Sequence, residues 1–373
     1  MKAAERFSSP LWRDRAMAAA ALVEMERLAE AAAAKTGGCV RLMEVCGTHT
    51  MAIASAGMRR LFPKELRMLS GPGCPVCVTS QGDIDLVLAL AEVPGVIITT
   101  FGDMLKVKGS KGLDLNVLRA GGADVRVVYS PLDAVELAAA EPGREVVFIG
   151  VGFETTAPVI AAALVRARKR ALKNFSITSF FKLVPPALDL LLSDPSNRIS
   201  GFLLPGHVSA IIGLEPYRFV TRKYGVPCVV TGFEPLDILA GINMLLAQIV
   251  SGKPEVQDEY FRAVPEGGNP AAVKVMEEVF SRTDAAWRAI GVLKNSGLGL
   301  ARAYAGFDAV RRFKIKRVEA AEPKGCLCGQ ILLGKNFPPD CPLFAKACSP
   351  SSAVGPCMVS SEGACAAWFK YGG

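Results

Sequence analysis

Short runs of Val, Ile and Leu alternate with stretches of helical periodicity over the first 255 residues. The runs hold apolar residues at consecutive positions, which is typical of parallel strands buried on both faces. Strands are predicted at 40–45, 96–100, 125–129, 145–150, 201–204 and 227–231. Helices are predicted between them at 50–61, 83–92, 131–140, 158–172 and 236–251. The alternation predicts βαβ units and therefore an α/β fold.

The two ends of the chain depart from this rhythm. An amphipathic helix is predicted to begin at Ser9, with Pro10 in its first turn. Residues 255–289 carry a helical pattern that is broken at residues 267–270. Beyond residue 317 the chain is rich in Gly, Pro and Cys. That composition suits a small, loop-rich region held together by a metal centre.

A short repeat suggests how the α/β part is divided. The tripeptide Gly-Phe-Glu occurs at 152–154 and at 232–234, each time after a predicted strand and before a predicted helix. The repeat indicates two related α/β domains with parallel sheets, at residues 1–145 and 146–255. Because the repeat is only three residues long, chance repetition is the alternative. Residues 256–373 are then a helical and Cys-rich C-terminal domain.

Composition excludes some classes of function and favours another. The net charge of +8 comes from scattered basic residues without interleaved aromatic side chains, so nucleic-acid binding is not expected. The most apolar stretch, residues 238–250, is too short to cross a bilayer, and no membrane association is expected. We expect a cytoplasmic protein, in which eleven cysteines indicate metal or redox chemistry rather than a disulfide framework.

Six of the eleven cysteines fall within forty residues of the Gly- and Pro-rich tail. They are Cys326, Cys328, Cys341, Cys348, Cys357 and Cys365. Structural zinc sites favour cysteine pairs with two to four residues between them, and the only close pair in the tail has one. Irregular spacing suits a [4Fe–4S] cluster, which accepts thiolates from separate loops. Four of the six are predicted to hold such a cluster; zinc, or six inert buried thiols, are the alternatives.

The close pair Cys326 and Cys328 has a consequence of its own. One intervening residue predicts that the two side chains diverge, so that one binds the cluster while the other faces a partner. We hypothesise that one of the two forms a reversible disulfide with another tail cysteine, because a cluster beside a disulfide can pass electrons into thiol exchange.

Two further cysteine loops lie nearer the N-terminus. Cys46 ends a predicted strand and opens a helix, whose N-terminus favours a thiolate there. His49, three residues later, is a candidate base or ligand. Cys74 and Cys77 form a CxxC pair, which lowers one thiol's pKa or supplies half of a metal site. Buried, inert thiols are the alternative for all three, and Cys39 and Cys228 are assigned to the core.

His207 and Glu154 complete the set of candidate residues. His207 lies in Pro205-Gly-His-Val-Ser209, after a predicted strand, where ligands of open α/β sheets bind. A satisfied core histidine is the alternative for His207 and for His49. Glu154, in the first Gly-Phe-Glu turn, is a candidate general base or hydrogen-bond anchor, and a structural cap is as good an interpretation.

Five motifs in order resemble the HypD-type maturation proteins of [NiFe] hydrogenases. They are Cys46-Gly-Thr-His-Thr50, Gly71-Pro-Gly-Cys-Pro-Val-Cys77, Gly152-Phe-Glu-Thr-Thr-Ala-Pro158, Pro205-Gly-His-Val-Ser209 and Pro356-Cys-Met-Val-Ser-Ser-Glu-Gly-Ala-Cys365. The match spans nearly the whole chain and departs at no motif cysteine. It implies two related Rossmann-like α/β domains and a third, small domain that holds an iron–sulfur cluster.

The resemblance also implies a function and partners. Such proteins form a scaffold, with a small HypC-type chaperone, on which the Fe(CN)₂CO unit of the hydrogenase is assembled. A HypE-type partner supplies the cyanide. The chain would then act as a monomer or within a heteromeric complex, and as a redox scaffold that depends on its partners. The alternatives are an iron–sulfur-dependent protein disulfide reductase and a zinc-stabilised binding module.

The resemblance finally assigns roles to the cysteines. Cys46, Cys74 and Cys77 become the iron-binding and redox thiols, with His49 beside them. Cys328 and Cys357 become a redox pair, through which electrons would run towards Cys74 and Cys77. The implied [4Fe–4S] ligands are Cys326, Cys341, Cys348 and Cys365.

Overall fold

The computed structural model describes residues 14–317 and 320–372. The predicted helix start at Ser9 and Pro10 lies outside the described residues. The first described helix, α1 (Arg15–Thr36), is capped by Asp14, whose Oδ1 accepts hydrogen bonds from the backbone N–H groups of Ala16 and Met17 at 2.8 and 3.0 Å. A carboxylate at this position satisfies donors that the first turn leaves unpaired.

Two parallel sheets and one hairpin make up the strand content. The first sheet has the order β2-β1-β7-β8-β9 and the second β4-β3-β5-β6, and every pairing in both is parallel. The strands are β1 (Val40–Glu44), β2 (Leu66–Ser70), β3 (Val96–Thr100), β4 (Asp124–Val127), β5 (Glu145–Gly150), β6 (Phe175–Ser179), β7 (Gly201–Pro205), β8 (Cys228–Thr231), β9 (Val256–Asp258), β10 (Phe280–Trp287) and β11 (Gly291–Leu300). The last two form an antiparallel hairpin.

Helices connect the strands, and short helices recur in the C-terminal region. They are α2 (Gly47–Ser55), α3 (Pro75–Val78), α4 (Gln81–Ala91), α5 (Leu115–Ala120), α6 (Pro131–Ala140), α7 (Ala157–Lys169), α8 (Val184–Ser193), α9 (Gly206–Ile212), α10 (Arg218–Tyr224), α11 (Pro235–Ser251), α12 (Pro270–Val279), α13 (Ala309–Arg312), α14 (Cys328–Leu332), α15 (Pro356–Val359) and α16 (Ala364–Tyr371). In the part of the chain that the structure describes, no helix is both long and apolar enough to traverse a bilayer.

The mixed α/β fold with parallel sheets is confirmed, and all six predicted strands are present with ends within two residues of those predicted. The pattern missed β2 and β6, which are edge strands with polar residues between the apolar ones. The helix predicted over residues 255–289 is confirmed only for α12. It is wrong over β10, where Trp287 is buried and the neighbouring strand β11 supplies the backbone partners that a helix would have found internally.

The sheets do not follow the order of the chain. Strands β1 and β2 pair with β7–β9, while β3–β6 form the other sheet, so each sheet draws strands from both sides of residue 145. The largest apolar core contains residues from both sheets, such as Met43 and Phe202 from the first and Ile98 and Val147 from the second. That shared core joins the two sheets into one packed unit.

Candidate functional site

Four neighbouring strands of the first sheet end at the same edge. The loops that follow β2, β1, β7 and β8 therefore meet, although they come from distant parts of the sequence. They bring together Cys46, His49, the Cys74–Cys77 loop and His207, as expected for the carboxyl ends of parallel strands. The name Cys46 site is used below for Cys46, His49, His207 and two glutamates, Glu44 and Glu362.

Cys46 is the buried centre of this site. It precedes α2, and its Sγ lies 3.9 Å from Nε2 and 4.0 Å from Nδ1 of His207. Burial raises its pKa to about 12; the backbone N–H of His49 opposes this, while the carboxylates of Glu362 and Glu44 add to it. Desolvation therefore outweighs the helix N-terminus, which favours the thiolate.

His49 is fully buried, His207 is partly buried, and both are uncharged at neutral pH. Burial lowers the pKa of each to about 4. Nε2 of His49 lies 2.9 Å from the carbonyl of Gly232, which can only accept, so this nitrogen carries the proton. Nδ1 of His49 is then a buried lone pair without a hydrogen-bond partner. The Phe233 ring packs against both histidines, at centroid distances of 4.9 and 5.1 Å.

Sequence reasoning missed Glu44. This side chain is fully buried at the end of β1 and accepts hydrogen bonds from the Cys46 backbone N–H at 3.1 Å and from Thr50 Oγ1 at 2.6 Å. Burial raises its pKa to about 7, against the hydrogen bond from Thr50. A charged residue at the end of a strand predicted to be buried on both faces was the available signal.

The sequence marks Glu362 only as one residue of the motif that runs from Pro356 to Cys365. Its Oε1 accepts a hydrogen bond from Thr48 at 2.8 Å, and a Cβ on Gly47 would stand 2.5 Å from the Glu362 Cβ. The tail thus packs directly against the first turn of α2, and Gly47 leaves the space for it.

The CxxC loop lies between the Cys46 site and the tail. Cys74 and Cys77 form a disulfide. A Cβ on Gly73 would stand 2.2 Å from the Cys46 nitrogen, so only glycine allows the loop to pass this close. On the other side, Cys77 Sγ lies 4.0 Å from the carbonyl oxygen of Pro356, the residue before Cys357.

All six tail cysteines line one small cavity, called the tail cavity below, together with apolar side chains that include Leu343, Phe344 and Met358. Cys326 is partly exposed and the other five are buried. Among residues 14–317 and 320–372, no three His, Cys, Asp or Glu side chains are close enough to hold a single metal ion. The six thiols instead surround a common space.

The expected divergence of Cys326 and Cys328 is wrong. Both side chains line the tail cavity, because the loops close over one common space. The proximity of Cys328, followed by burial, raises the pKa of Cys326. The proximity of Cys326 lowers the pKa of Cys328, but Cys357 and burial raise it overall.

Three assigned residues lie elsewhere. Glu154 is buried in a separate cavity of about 980 Å³, where its Oε1 accepts a hydrogen bond from the Val184 backbone N–H at 2.9 Å, and burial raises its pKa to about 7. Cys228 is buried in β8, as predicted. Cys39 is exposed, so its assignment to the core is wrong, because it precedes β1 instead of lying in it.

Comparison with known proteins identifies one family that the chain matches over nearly its whole length. The family model HypD, described as the hydrogenase formation hypA family, matches residues 20–372. The hydrogenase maturation factor HypD of Rhodobacter capsulatus is 44% identical over 97% of both chains, and that of Escherichia coli is 45% identical over 89% of both. A putative hydrogenase expression/formation protein of Methanocaldococcus jannaschii is 42% identical over 96% of this chain and 98% of its own. The chain therefore belongs to the HypD family.

Proposed function

We propose that this protein acts in hydrogenase maturation, as the scaffold on which the Fe(CN)₂CO unit is assembled. The curated relatives are named hydrogenase maturation factors. The observation that carries the proposal is the placement of Cys46 and His207 within 4 Å of each other, beside a CxxC disulfide that approaches the tail backbone next to Cys357.

The Cys46 site has the donors that such an iron cargo needs. A thiolate is a soft ligand, suited to iron that carries strong-field ligands, but Cys46 must lose its proton first. His207 is neutral, because burial lowers its pKa to about 4, and its ring lies 3.9 Å from the sulfur. It is therefore placed to take the thiol proton as a metal ion draws the sulfur into coordination.

The tail cavity fits a [4Fe–4S] cluster by its donor set. Six cysteine side chains line one enclosed space, and most of the remaining lining is apolar. Thiolates arriving from separate loops are the ligands of such clusters, which supply single electrons when bound. We assign Cys326, Cys341, Cys348 and Cys365 as the ligands, in an iron–sulfur domain. This leaves Cys328 and Cys357, which line the same cavity, as a thiol pair.

The CxxC disulfide is the acceptor in this scheme. Thiol–disulfide exchange would oxidise Cys328 and Cys357 to a disulfide and reduce Cys74–Cys77 to two thiols, moving two electrons and two protons. The 4.0 Å approach of Cys77 Sγ to the backbone beside Cys357 supports a short path between the two pairs. The products are two further thiols next to Cys46, available to the cargo iron.

The partners follow from the same role. We propose a small HypC-type chaperone that shares the iron and a HypE-type protein that donates cyanide. A stand-alone protein disulfide reductase would use the tail cysteines and the CxxC pair in the same way, but it would not need Cys46 or His207. That difference separates the two functions experimentally.

The deciding experiment is infrared spectroscopy of the chain co-purified with its partners under anaerobic conditions. Bands of iron-bound cyanide and CO are expected in the wild type and should be absent in Cys46→Ala, whereas Cys228→Ala, a buried thiol outside the site, should keep them. Absence of these bands from the wild-type complex would favour the reductase. Iron, zinc and sulfide analysis tests the cluster separately, since one zinc without sulfide would exclude both redox functions.

A further inference from the structure

Arg288 follows β10 and is buried, with only 1% of its surface exposed. Its backbone N–H donates to the carbonyl of Val78 at 2.9 Å, and its Nε donates to the carbonyl of Thr79, also at 2.9 Å. Both acceptors lie just after Cys77 in the chain. The guanidinium is thus anchored to the segment that carries the CxxC disulfide.

The other end of the guanidinium is only partly neutralised. Nη1 donates to Gln81 Oε1 at 2.9 Å and to Glu322 Oε2 at 2.6 Å. Glu322 is one-third exposed, so water screens part of its charge. Nη2 is buried and has no hydrogen-bond partner. A permanent charge held in the interior with an unused donor acts on whatever polar group lies beside it.

The neighbours of this charge are tail cysteines. A Cβ on Gly329 would stand 2.0 Å from the Ala289 Cβ, so the backbone beside Arg288 touches the backbone beside Cys328. The guanidinium also counteracts the raised pKa of Cys326, Cys328 and Cys357, in which hydrogen bonds among the thiols and burial are the larger influences. Those three thiols line the tail cavity.

We propose that Arg288 is a positioning residue that supplies a fixed positive charge to the tail cavity and raises the reduction potential of the metal–sulfur centre there. The inference rests on the proposed [4Fe–4S] cluster. Reduction adds one negative charge to such a centre, and a nearby cation inside a protein stabilises the more negative state. Net charge and hydrogen bonds to sulfur are among the factors that set cluster potentials.

The test is a redox titration of anaerobically purified, full-length protein, after its iron and sulfide contents have been measured. Arg288→Gln should lower the midpoint potential by about 59 mV or more, which is about a tenfold change in a one-electron equilibrium. Arg288→Lys keeps the charge and should stay close to the wild type. Arg312→Gln removes a distant charge paired with Glu145 and should leave the potential unchanged.

Glu322→Gln provides a second test at a partly exposed position. Removing the carboxylate that offsets the Arg288 charge should raise the potential, opposite in sign to Arg288→Gln. A wild-type potential in Arg288→Gln overturns the inference. If that variant loses the metal centre, an unchanged or lowered potential in Glu322→Gln overturns it instead. A wild-type protein without iron and sulfide contradicts the proposed function itself, which is a distinct result.

Discussion

The Cys46 site is built on four strand ends of one sheet, whereas the tail cavity is enclosed by loops and by helices of four to eight residues. The first holds its thiol among carboxylates, histidines and backbone donors that are fixed by hydrogen bonds. The second holds six thiols against apolar side chains. The comparison teaches that a sheet edge fixes its buried polar groups largely through its own hydrogen bonds, while the order of the tail, under the proposed function, depends on the group that its thiols bind.

The largest effect on the difference between the two regions is expected when one proposed cluster ligand is removed. Cys341→Ala should lose essentially all tail iron and sulfide, and limited proteolysis within residues 320–372 should become at least about tenfold faster, because the tail has little regular structure of its own. The Cys74–Cys77 disulfide should survive. Cys228→Ala is the matched control, and full iron content in Cys341→Ala would contradict the assignment.

The next largest effect is expected when the packing of the Cys46 site is disrupted by filling the space at Gly73. A Cβ there would meet the Cys46 nitrogen and the Val45 carbonyl carbon, both at 2.2 Å. Gly73→Ala should therefore lower the free energy of unfolding by about 3 kcal/mol, measured by denaturant titration. Gly38→Ala, where nothing lies within 4 Å, is the control. Equal stability of the two variants would show that the loop is not closely packed.

Glu154 lies outside both the Cys46 site and the tail cavity, so it serves as a reference for the comparison of the two regions. Burial raises the pKa of the Glu154 carboxyl from 4.5 to about 7 in the folded state. Between pH 4.5 and pH 7 the folded state therefore binds more protons than the unfolded state. The stability it contributes is present at low pH and is lost as pH rises through 7, by about 2.5 kcal/mol between pH 5 and 8. Glu154→Gln should remove this part of the slope in unfolding titrations. An unchanged slope would mean that the carboxyl is solvated.

The smallest effect is expected at Cys39. This thiol is exposed and its closest acceptors, the carbonyls of Val40 and Lys64, are each 3.7 Å away. Cys39→Ser should change the free energy of unfolding by less than about 0.5 kcal/mol. Thiol titration of the denatured, reduced protein should fall by one, with iron content unchanged. A loss of iron would extend the metal chemistry beyond the two regions.

The two regions also differ in how far the sequence predicts them. Buried parallel strands are visible as apolar runs, so the strand ends that carry Cys46 and His207 were located correctly. Their adjacency was not readable, since β1 and β7 are neighbours only through the order of the sheet. The edge strand β2 lacks the signal because the exposed Arg67 interrupts its apolar residues.

In the tail, the sequence predicts the composition of the cavity but not its geometry. Cysteine spacing indicates a shared ligand, yet it does not say that Cys326 and Cys328 turn inward together. The burial of Arg288 could not be predicted from the sequence, for a related reason. Nothing in a segment with a helical pattern marks one arginine as buried, because its partners Gln81 and Glu322 come from other parts of the chain.

The order of strands in the first sheet also governs how this protein can be made. Cys46 and His207 are 161 residues apart, so at about 5–20 residues per second a ribosome needs roughly 8–32 s to supply the second after the first. Until β7 emerges, β1 and β2 have no third strand and Cys46 lacks His207. A nascent chain is thus unable to assemble the Cys46 site early, and the tail that touches Gly47 arrives last of all.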